Sequence, residues 1–561
     1  MRNKIYILLI SFSFIIIGCG EVTTTTTDGR VINSTSTGND SSSSNNNTPS
    51  SITNNLDNSN DISDINSSNE RLQIIGKITY DRVWVNSNGI GLNYSNITKE
   101  PAKQVIVKAI GADNQVIKST TTDDNGNYSL NNLSSNTKLK VQVYAQLKKS
   151  GIGGWDLKVV DNTNGNSQYV MESSPISLDD NSLRVNLNAQ SGWDGSSYSS
   201  ERTAAPFAIL GSIYQAMQKV LSVDSSATFP TLVVNWSKNN TPSGNGDEAQ
   251  LRDGQIVTSH FDGENSLYIL GDANSDTDEY DNHIIIHEWG HYFEANFSRA
   301  DSIGGSHGDG DKLDIRVAFG EGWGNAWSAI VTDNPIYYDT MGRKQSNGFS
   351  MNIESEFTQN PGWYSEDSIQ KILYDLYDSH NDGGDTLSLG FKPIYDVLVG
   401  SQKTTPAFTS IFSFITYLKE NNPSAINKID DILANENIES IQNIYGSTID
   451  SDLYSDMSNG SINICTYSQY GRGNKLYNHR YIRFSISQNG NYTVRVKQSD
   501  GSNSDPDFSL YKTAPFINMG ASEESVFGVE SHSYSLSSDD YLLDISDYNN
   551  LRRACFDITV N

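Results

Sequence analysis

Basic residues are scarce in this chain, and long hydrophobic runs are almost absent. Its 39 lysines and arginines are outnumbered by 67 aspartates and glutamates, which gives a net charge of −28 at pH 7. A protein with this charge repels phosphate groups, so nonspecific binding to nucleic acid or to an anionic lipid surface is excluded. Beyond the N-terminus, no run reaches the roughly 20 apolar residues that are needed to cross a bilayer.

Several enzyme signatures are missing as well. We find no P-loop, no dinucleotide-binding glycine pattern, no Ser-His-Asp signature and no internal repeat. Histidine is also rare, at 8 in 561 residues. Six of these histidines nevertheless lie between positions 260 and 380. A metal site would concentrate them in this way.

The N-terminus has a pattern of its own. Two basic residues precede an apolar run over residues 5–17, which has the length of a signal-peptide hydrophobic region and is too short for a membrane span. The run ends just before Cys19 and resembles a bacterial lipobox. This resemblance implies a lipoprotein signal peptide over residues 1–19 and lipidation of Cys19. The lipid would anchor the chain to the membrane of a bacterial cell envelope, facing the periplasm or the exterior. An ordinary signal peptide with an incidental cysteine is the alternative.

Residues 20–70 consist largely of Ser, Thr, Asn and Asp. Such a segment has little apolar surface to bury and cannot offset the entropy that it would lose on ordering. We therefore predict a disordered tether over these residues.

Residues 71–192 alternate apolar and polar positions in several short runs, which is typical of strands with one buried face. Turn-forming residues such as 123–127 separate the runs. Residues 75–78, 105–107 and 122–129 resemble the carboxypeptidase regulatory-like sandwich. The resemblance implies an all-β sandwich without catalytic residues. It would act as a spacer or a binding module, or would only pack against its neighbour.

The central motif is His287-Glu288-Trp289-Gly290-His291, an H-E-x-x-H pattern. Residues four apart on a helix lie on the same face, so His287 and His291 can reach one metal ion while Glu288 stands beside a water on that ion. Glu321 follows within residues 318–327, where a second helix can supply a third ligand. Two histidines and a glutamate are a ligand set of catalytic zinc sites. For the five-residue motif alone, chance occurrence is the alternative.

The motif and the later Phe319-Gly-Glu-Gly-Trp323 together resemble the gluzincin metallopeptidases, in particular their fungalysin-related branch. This resemblance implies a zincin-like core over residues 193–457. It also implies a zinc-centred set of site residues: the ligands His287, His291 and Glu321, and the general base Glu288.

One position departs from the family pattern. The family usually has an aspartate four residues after the ligand glutamate, and this chain has Asn325 there. An amide oxygen still accepts a histidine N–H, but it adds no charge that would raise the basicity of the ligand. We therefore expect Asn325 to lie beside the zinc ligands and to raise the basicity of the ligand histidine less than an aspartate would. The metzincin continuation of the motif is absent.

Peptide hydrolysis generates an oxyanion, which zinc and a Tyr or His donor commonly stabilise. Tyr364 and His380 are candidates for this donor from their positions alone, and a capping or surface role is the alternative for His380. Residues 267–270 are our candidate for a strand along the substrate cleft, with an interior strand as the alternative.

Three other histidines are nearby in the sequence. His283 lies one turn before His287 and could replace His291 as a ligand or line the cleft, but only the 287/291 pair brackets a glutamate. We therefore favour a histidine at the start of the helix that does not bind the metal. His260 and His307 are assigned to loops without a role.

Acidic stretches at residues 272–281 and 309–314 lie on either side of the predicted zinc helix. Their carboxylates could supply the oxygen ligands that Ca²⁺ prefers. Neither stretch has EF-hand spacing, so solvated acidic loops are the favoured interpretation. Calcium stays open without a supporting motif.

Residues 458–561 return to short alternating runs. Residues 490–494 and 505–511 resemble the bacterial pre-peptidase C-terminal domain, which implies a second all-β sandwich. Cys465 and Cys555 lie near its two ends. In an oxidising compartment we expect a disulfide between them, with two buried free thiols as the alternative.

These patterns predict a multidomain fold with an α+β zincin-like metallopeptidase core flanked by two all-β sandwich domains. The predicted function is a surface-anchored zinc metallopeptidase with protein or peptide substrates. A non-catalytic surface adhesin or binding lipoprotein with a degenerate peptidase core is the alternative, and Asn325 is its best support. A third interpretation keeps the zinc chemistry but applies it to non-peptide amides or esters.

Overall fold

A computed structural model of the chain describes residues 50–52, 61–65, 72–355, 357–380, 386–449, 451–501, 503–523, 527–550 and 552–561. The predicted signal peptide, Cys19 with its predicted lipidation, and most of the predicted tether lie outside the described residues. No helix in the described part of the chain is both long enough and apolar enough to cross a membrane.

Strands dominate the chain. They are β1 Ser50–Ile52, β2 Asp61–Ile65, β3 Leu72–Val85, β4 Leu92–Pro101, β5 Val105–Gly111, β6 Val116–Thr121, β7 Asn127–Leu133, β8 Thr137–Lys149, β9 Trp155–Asp161, β10 Ser167–Glu172, β11 Ile176–Leu178, β12 Ser182–Ala189, β13 Leu232–Trp236, β14 His260–Phe261, β15 Ser266–Ile269, β16 Gly271–Asp272, β17 Asp276–Thr277, β18 Ile336–Met341, β19 Asn347–Asn352, β20 Tyr454–Asp456, β21 Ser461–Thr466, β22 Arg480–Ile486, β23 Gly490–Asp500, β24 Pro506–Thr513, β25 Phe516–Ser522, β26 Val529–Leu536, β27 Asp539–Asp547 and β28 Ala554–Val560.

The helices cluster in the middle of the sequence. They are α1 Ala205–Leu221, α2 Glu248–Arg252, α3 Asn282–Phe297, α4 Ile315–Thr332, α5 Glu366–Tyr377, α6 Phe391–Val397, α7 Ile411–Asn421 and α8 Ile426–Asn435.

Two sheets make up the N-terminal part of the fold. One contains β2, β12, β3 and β4, with β7 paired to β3, and the other runs from β6 through β5, β8, β10 and β9. Along β8, every second side chain from Leu139 to Leu147 is buried, as the alternating pattern predicts. Buried side chains of both sheets belong to one hydrophobic core. The prediction of a β-sandwich here is confirmed at the level of layered sheets.

The second sheet does not stop at the predicted domain boundary between residues 192 and 193. Strand β13 pairs in parallel with β9, with Val234 opposite Val159, and β15 and β14 extend the sheet further. Both β9 and β13 are rich in buried apolar residues, so each can lie inside a sheet covered on its faces. The two predicted regions therefore share one sheet and one core.

Two segments of the predicted tether are also strands. β1 pairs in parallel with β10, and β2 pairs antiparallel with β12. The structure differs from the prediction here because an exposed sheet edge offers backbone partners even to a polar segment.

Helices α3 and α4 pack against each other through aromatic side chains and two glycines. Trp327 stacks on Trp289 with ring centroids 5.9 Å apart, and the Trp323 indole N–H donates to the carbonyl of Gly290 at 3.1 Å. A Cβ atom on Gly324 would lie 2.7 Å from Cε1 of His287. The bare backbone of Gly324 therefore lets α4 approach the His287 ring.

The C-terminal part is a second pair of sheets. Strands β20, β22, β27, β24 and β25 form one, and β21, β28, β23 and β26 form the other. Together they enclose a separate hydrophobic core. Cys465 on β21 and Cys555 on β28 lie opposite each other and form a disulfide.

This C-terminal sandwich contacts the start of α4. Buried Arg316 donates to Asp314, the residue just before α4, and to Asp544 on β27, at 2.9 and 2.8 Å. Tyr481 donates to Asp314 at 2.6 Å, and His479 lies 2.8 Å from Asp544. A buried ionic network therefore joins the last domain to the helix that carries Glu321.

Candidate metal centre

Helices α3 and α4 bring His287, His291 and Glu321 to one point. The Nε2 atoms of the two histidines lie 3.1 Å apart. Oε2 of Glu321 lies 3.3 Å from Nε2 of His287 and 3.4 Å from Nε2 of His291. The three donor atoms therefore form a tight group that a single ion can bind.

The protonation of His287 follows from its neighbour Asn325. Nδ1 of His287 lies 2.9 Å from Oδ1 of Asn325. An amide oxygen only accepts hydrogen bonds, so Nδ1 carries the proton and the lone pair is on Nε2. Nε2 is the atom that faces Glu321, and the ring is therefore oriented to bind a metal.

The arrangement of the three donor atoms suits a bound cation better than it suits hydrogen bonds among the three side chains. Oε2 of Glu321 is buried and has no hydrogen-bond partner among the described residues. Burial raises the pKa of Glu321, but the three histidines around its carboxylate, first His307 and then His291 and His287, hold that pKa well below its usual range. A carboxylate that stays ionised beside two imidazole nitrogens has the donor chemistry of a His₂Glu zinc site.

Glu288 lies beside this group and is almost fully buried. Its Oε2 accepts a hydrogen bond from the backbone N–H of Phe261 at 3.0 Å. Phe261 is on β14, which ends its sheet, whereas β15 lies between β14 and β13. Most of residues 267–270, our candidate for the cleft strand, are therefore in an interior strand, and the strand next to Glu288 is β14.

His307 is a site residue that sequence reasoning missed. It lies in the loop between α3 and α4, is buried, and places Nε2 at 3.3 Å from Oε2 of Glu321. Its Nδ1 lies 2.5 Å from Oε2 of Glu366, the first residue of α5. Burial lowers the pKa of His307, but the carboxylates of Glu321 and Glu366 raise it to about 10. The sequence indicates His307 only in that histidines are rare in this chain and this one lies close to the H-E-x-x-H motif.

The two donors proposed from sequence position have other contacts in the described part of the chain. The side chain of His380 is 87% exposed and lies near Asp378. The ring of Tyr364 packs against Trp363 and lies under the ammonium group of Lys312. The positions of Tyr364 and His380 after Glu321 in the sequence do not determine where their side chains point.

The remaining histidines have local partners. His283 is buried, with Nε2 at 3.3 Å from the carbonyl oxygen of Asn334, and burial lowers its pKa to about 4. His260 stacks on Tyr268, and its Nδ1 lies 2.8 Å from the carbonyl oxygen of Thr258. Neither belongs to the group of three metal-donor side chains.

Comparison with known proteins finds similarity to single β-domains among the solved structures. No family model matches the chain, and no curated protein matches it. The pre-peptidase C-terminal domain of a collagenase from Bacillus anthracis is similar at 10% identity, over 19% of this chain and 94% of that one, with a TM-score of 0.16. A carbohydrate-binding module of lichenase 5A from Cellvibrio mixtus is similar at 14% identity, over 19% and 88%, with a TM-score of 0.12. A surface-associated copper-binding protein of Methylomicrobium album BG8 is similar at 8% identity, over 19% and 96%, with a TM-score of 0.17. These neighbours include β-sandwich domains, and at these scores they assign no function.

Proposed function

We propose that this chain is a zinc-dependent metallopeptidase with a gluzincin-like, α+β zincin-type core. One observation carries the proposal: two histidines and a glutamate from two packed helices converge, and the buried Glu288 follows His287 directly on the same helix. Zinc bound there would polarise the scissile carbonyl and lower the pKa of a water molecule.

The protein groups have separable roles in this proposal. Glu288 accepts a proton from the attacking water and passes it to the leaving amine. The Phe261 N–H fixes the Glu288 carboxylate through the 3.0 Å hydrogen bond. The imidazolium of His307, kept protonated by Glu366, donates a hydrogen bond to the oxyanion that develops on the substrate. It replaces Tyr364 and His380 in that role.

The substrate class follows from the strand next to the base. β14 is at the end of its sheet among the described strands, which is the position where an extended chain can add to a sheet. A peptide that added to this edge as another strand would pass its backbone carbonyl close to Glu288. This favours protein or peptide substrates over small amides and esters.

We also propose that the enzyme works outside the cytoplasm, on the lipid anchor implied by Cys19. The support within the described residues is the disulfide between Cys465 and Cys555, because structural disulfides persist in oxidising compartments.

The test uses the full-length mature chain and two matched glutamine variants. Glu288→Gln removes the base, and we expect turnover of casein to fall by about 10²–10⁴-fold while zinc content stays at one per chain. Glu264→Gln, at an exposed position in the β14–β15 turn, should keep both activity and zinc. Casein cleavage that survives Glu288→Gln would refute the base assignment. A wild-type chain that neither binds zinc nor cleaves casein would instead indicate a binding lipoprotein.

A further inference from the structure

A second group of acidic side chains lies at the start of helix α3 and shares no residue with the group of His287, His291 and Glu321. Asp276, Asp278 and Asp339 each direct a carboxylate oxygen to one place, with these atoms within 4.8 Å of one another. Asp276 and Asp339 come from neighbouring strands, because β17 pairs with β18 at Asp276 and Met341. The fold therefore brings together acids that are 63 residues apart in sequence.

These carboxylates have unused oxygens deep in the protein. The side chain of Asp278 is 2% exposed, and that of Asp281 is fully buried. Oδ1 of Asp276, Asp278, Asp281 and Asp339 is in each case buried without a hydrogen-bond partner among the described residues. Each such atom costs free energy unless a partner compensates it, so four together indicate a missing partner.

No protein cation supplies that partner. None of these four aspartates has a lysine or arginine within ion-pair distance in the described part of the chain. Two buried arginines are close by in the fold, but the Arg82 guanidinium donates to the backbone carbonyl of Tyr280, and that of Arg202 pairs with Glu279 and bonds to Thr277. Burial, and then the charges of neighbouring aspartates, raise the pKa of Asp276 and of Asp339 far above the usual range. Their ionised forms therefore repel one another when nothing compensates them.

The other oxygens of the group are held in place. Oδ2 of Asp281 accepts from the backbone N–H and the hydroxyl of Thr340, both at 2.8 Å. Oδ2 of Asp278 accepts from the hydroxyl of Ser259. Asp278 and Asp281 thus each have one oxygen fixed by the protein and one oxygen left over, which is the arrangement of a prepared ligand cage.

We propose that Asp276, Asp278 and Asp339, with Asp281 beside them, bind a calcium ion at the N-terminal end of α3. The donors are all carboxylate oxygens, which suit a hard cation and not zinc. The extended acidic loop and the strand β18 supply them, without an EF-hand loop. This site is independent of the histidine-glutamate centre.

The position of the ion suggests what it stabilises. Asp281 is the residue just before α3, and Ser259, bonded to Asp278, comes just before β14. The backbone N–H of Leu270 also donates to Ser259 at 2.9 Å. An ion at this site would therefore tie the start of the H-E-x-x-H helix to the strand that positions Glu288.

The experiment compares calcium binding and thermal unfolding of the full chain, without a chelator so that zinc is retained. Calorimetric titration with CaCl₂ should give one site per chain in the wild type. We expect Asp339→Asn to weaken that binding by at least about tenfold, because calcium affinity depends on the number of charged ligands. Calcium should raise the melting temperature of the wild type and not that of the variant. Asp272→Asn, in the same loop but outside the group, should behave like the wild type.

The direction of the change in melting temperature without calcium distinguishes an ion site from an acidic residue that only stabilises the fold. In calcium-free buffer, Asp339→Asn removes a repelling charge and should melt at the same temperature as the wild type or higher. Asp276→Asn, at a less buried position, should repeat the result. Equal calcium binding in wild type and both variants, or no binding by the wild type, would overturn the proposal. Glu288→Gln should bind calcium normally, so failure of this site and failure of the peptidase proposal are distinguishable.

Discussion

Nδ1 of His307 and Oε2 of Glu366 lie 2.5 Å apart in the wall of the candidate metal centre. The contact joins a loop histidine to the first turn of α5, and the other ring nitrogen of His307 faces Glu321. His307 is held between two carboxylates, which raise its pKa to about 10. It can therefore donate a hydrogen bond, which a neutral ring in the other tautomer could not.

The first prediction concerns this donor. We expect His307→Ala to lower kcat by about 10²–10³-fold with little change in KM, because the lost hydrogen bond acts mainly on the transition state. Glu366→Gln should give a smaller loss in the same direction, since it weakens the charge that holds the proton on His307. Steady-state kinetics on a defined peptide, with zinc content measured on the same samples, provides the check.

His380→Ala is the matched control for that measurement, because His380 is an exposed histidine in the same domain. It should leave kcat unchanged. If His380→Ala abolished turnover while His307→Ala did not, the donor would be the residue that sequence position favoured.

The second prediction concerns Asn325. Asn325→Leu removes the acceptor that keeps the proton on Nδ1 of His287, and zinc affinity should fall by about 10–100-fold. Asn325→Asp keeps the acceptor and adds a charge, so zinc should bind as tightly as in the wild type or more tightly. Competition with a chromogenic zinc chelator measures both variants. Equal affinity in all three proteins would show that the 2.9 Å contact does not tune the ligand.

Part of this architecture could be predicted from the sequence because it is encoded locally. The alternation along β8 and the four-residue spacing of His287 and His291 each reflect the geometry of one element. The β-sandwich layers are confirmed, while the zincin-type core stays a prediction that the donor geometry supports.

The rest depends on long-range pairing that no local pattern encodes. β14 has only two residues, too few for a period-two pattern, and yet it lies next to Glu288. His307 is placed by the loop between α3 and α4, whose conformation its own sequence does not dictate. The pairing of β13 with β9 likewise follows from how two apolar strands find each other, so the predicted boundary at residue 192 divided a continuous sheet.

The third prediction concerns the close approach of α4 to the zinc ligands. A Cβ atom on Gly324 would lie 2.7–2.9 Å from three atoms of the His287 ring, which is too close for any contact. Gly324→Ala should therefore displace the ring and reduce bound zinc, although alanine is the better helix former. Metal analysis after dialysis measures the loss. Gly400→Ala, where an added Cβ meets nothing within 4 Å, is the control and should keep full zinc occupancy.

The fourth prediction concerns acid stability at the junction between α4 and the C-terminal sandwich. Burial raises the pKa of Asp544, but the charges of Arg316 and His479 and their hydrogen bonds lower it to about 2. A carboxylate with a depressed folded pKa stabilises the fold fully above its unfolded pKa of about 3.9, and this contribution is lost as the pH falls towards 2. We therefore expect the wild-type melting temperature to drop steeply between about pH 4 and pH 2.

Asp544→Asn tests this prediction because it removes one of the two carboxylates that pair with the buried Arg316. The variant should be less stable by about 3–5 kcal/mol at pH 6, because breaking a buried ion pair leaves an uncompensated charge. Its melting temperature should also depend less on pH below 4 than that of the wild type, since the titrating group is gone. Asp557→Asn, at an exposed position in the same sandwich, should keep the wild-type profile. A variant at residue 544 with unchanged stability at pH 6 would mean that Arg316 is adequately paired by Asp314 alone, and that the two domains are held together by apolar contacts.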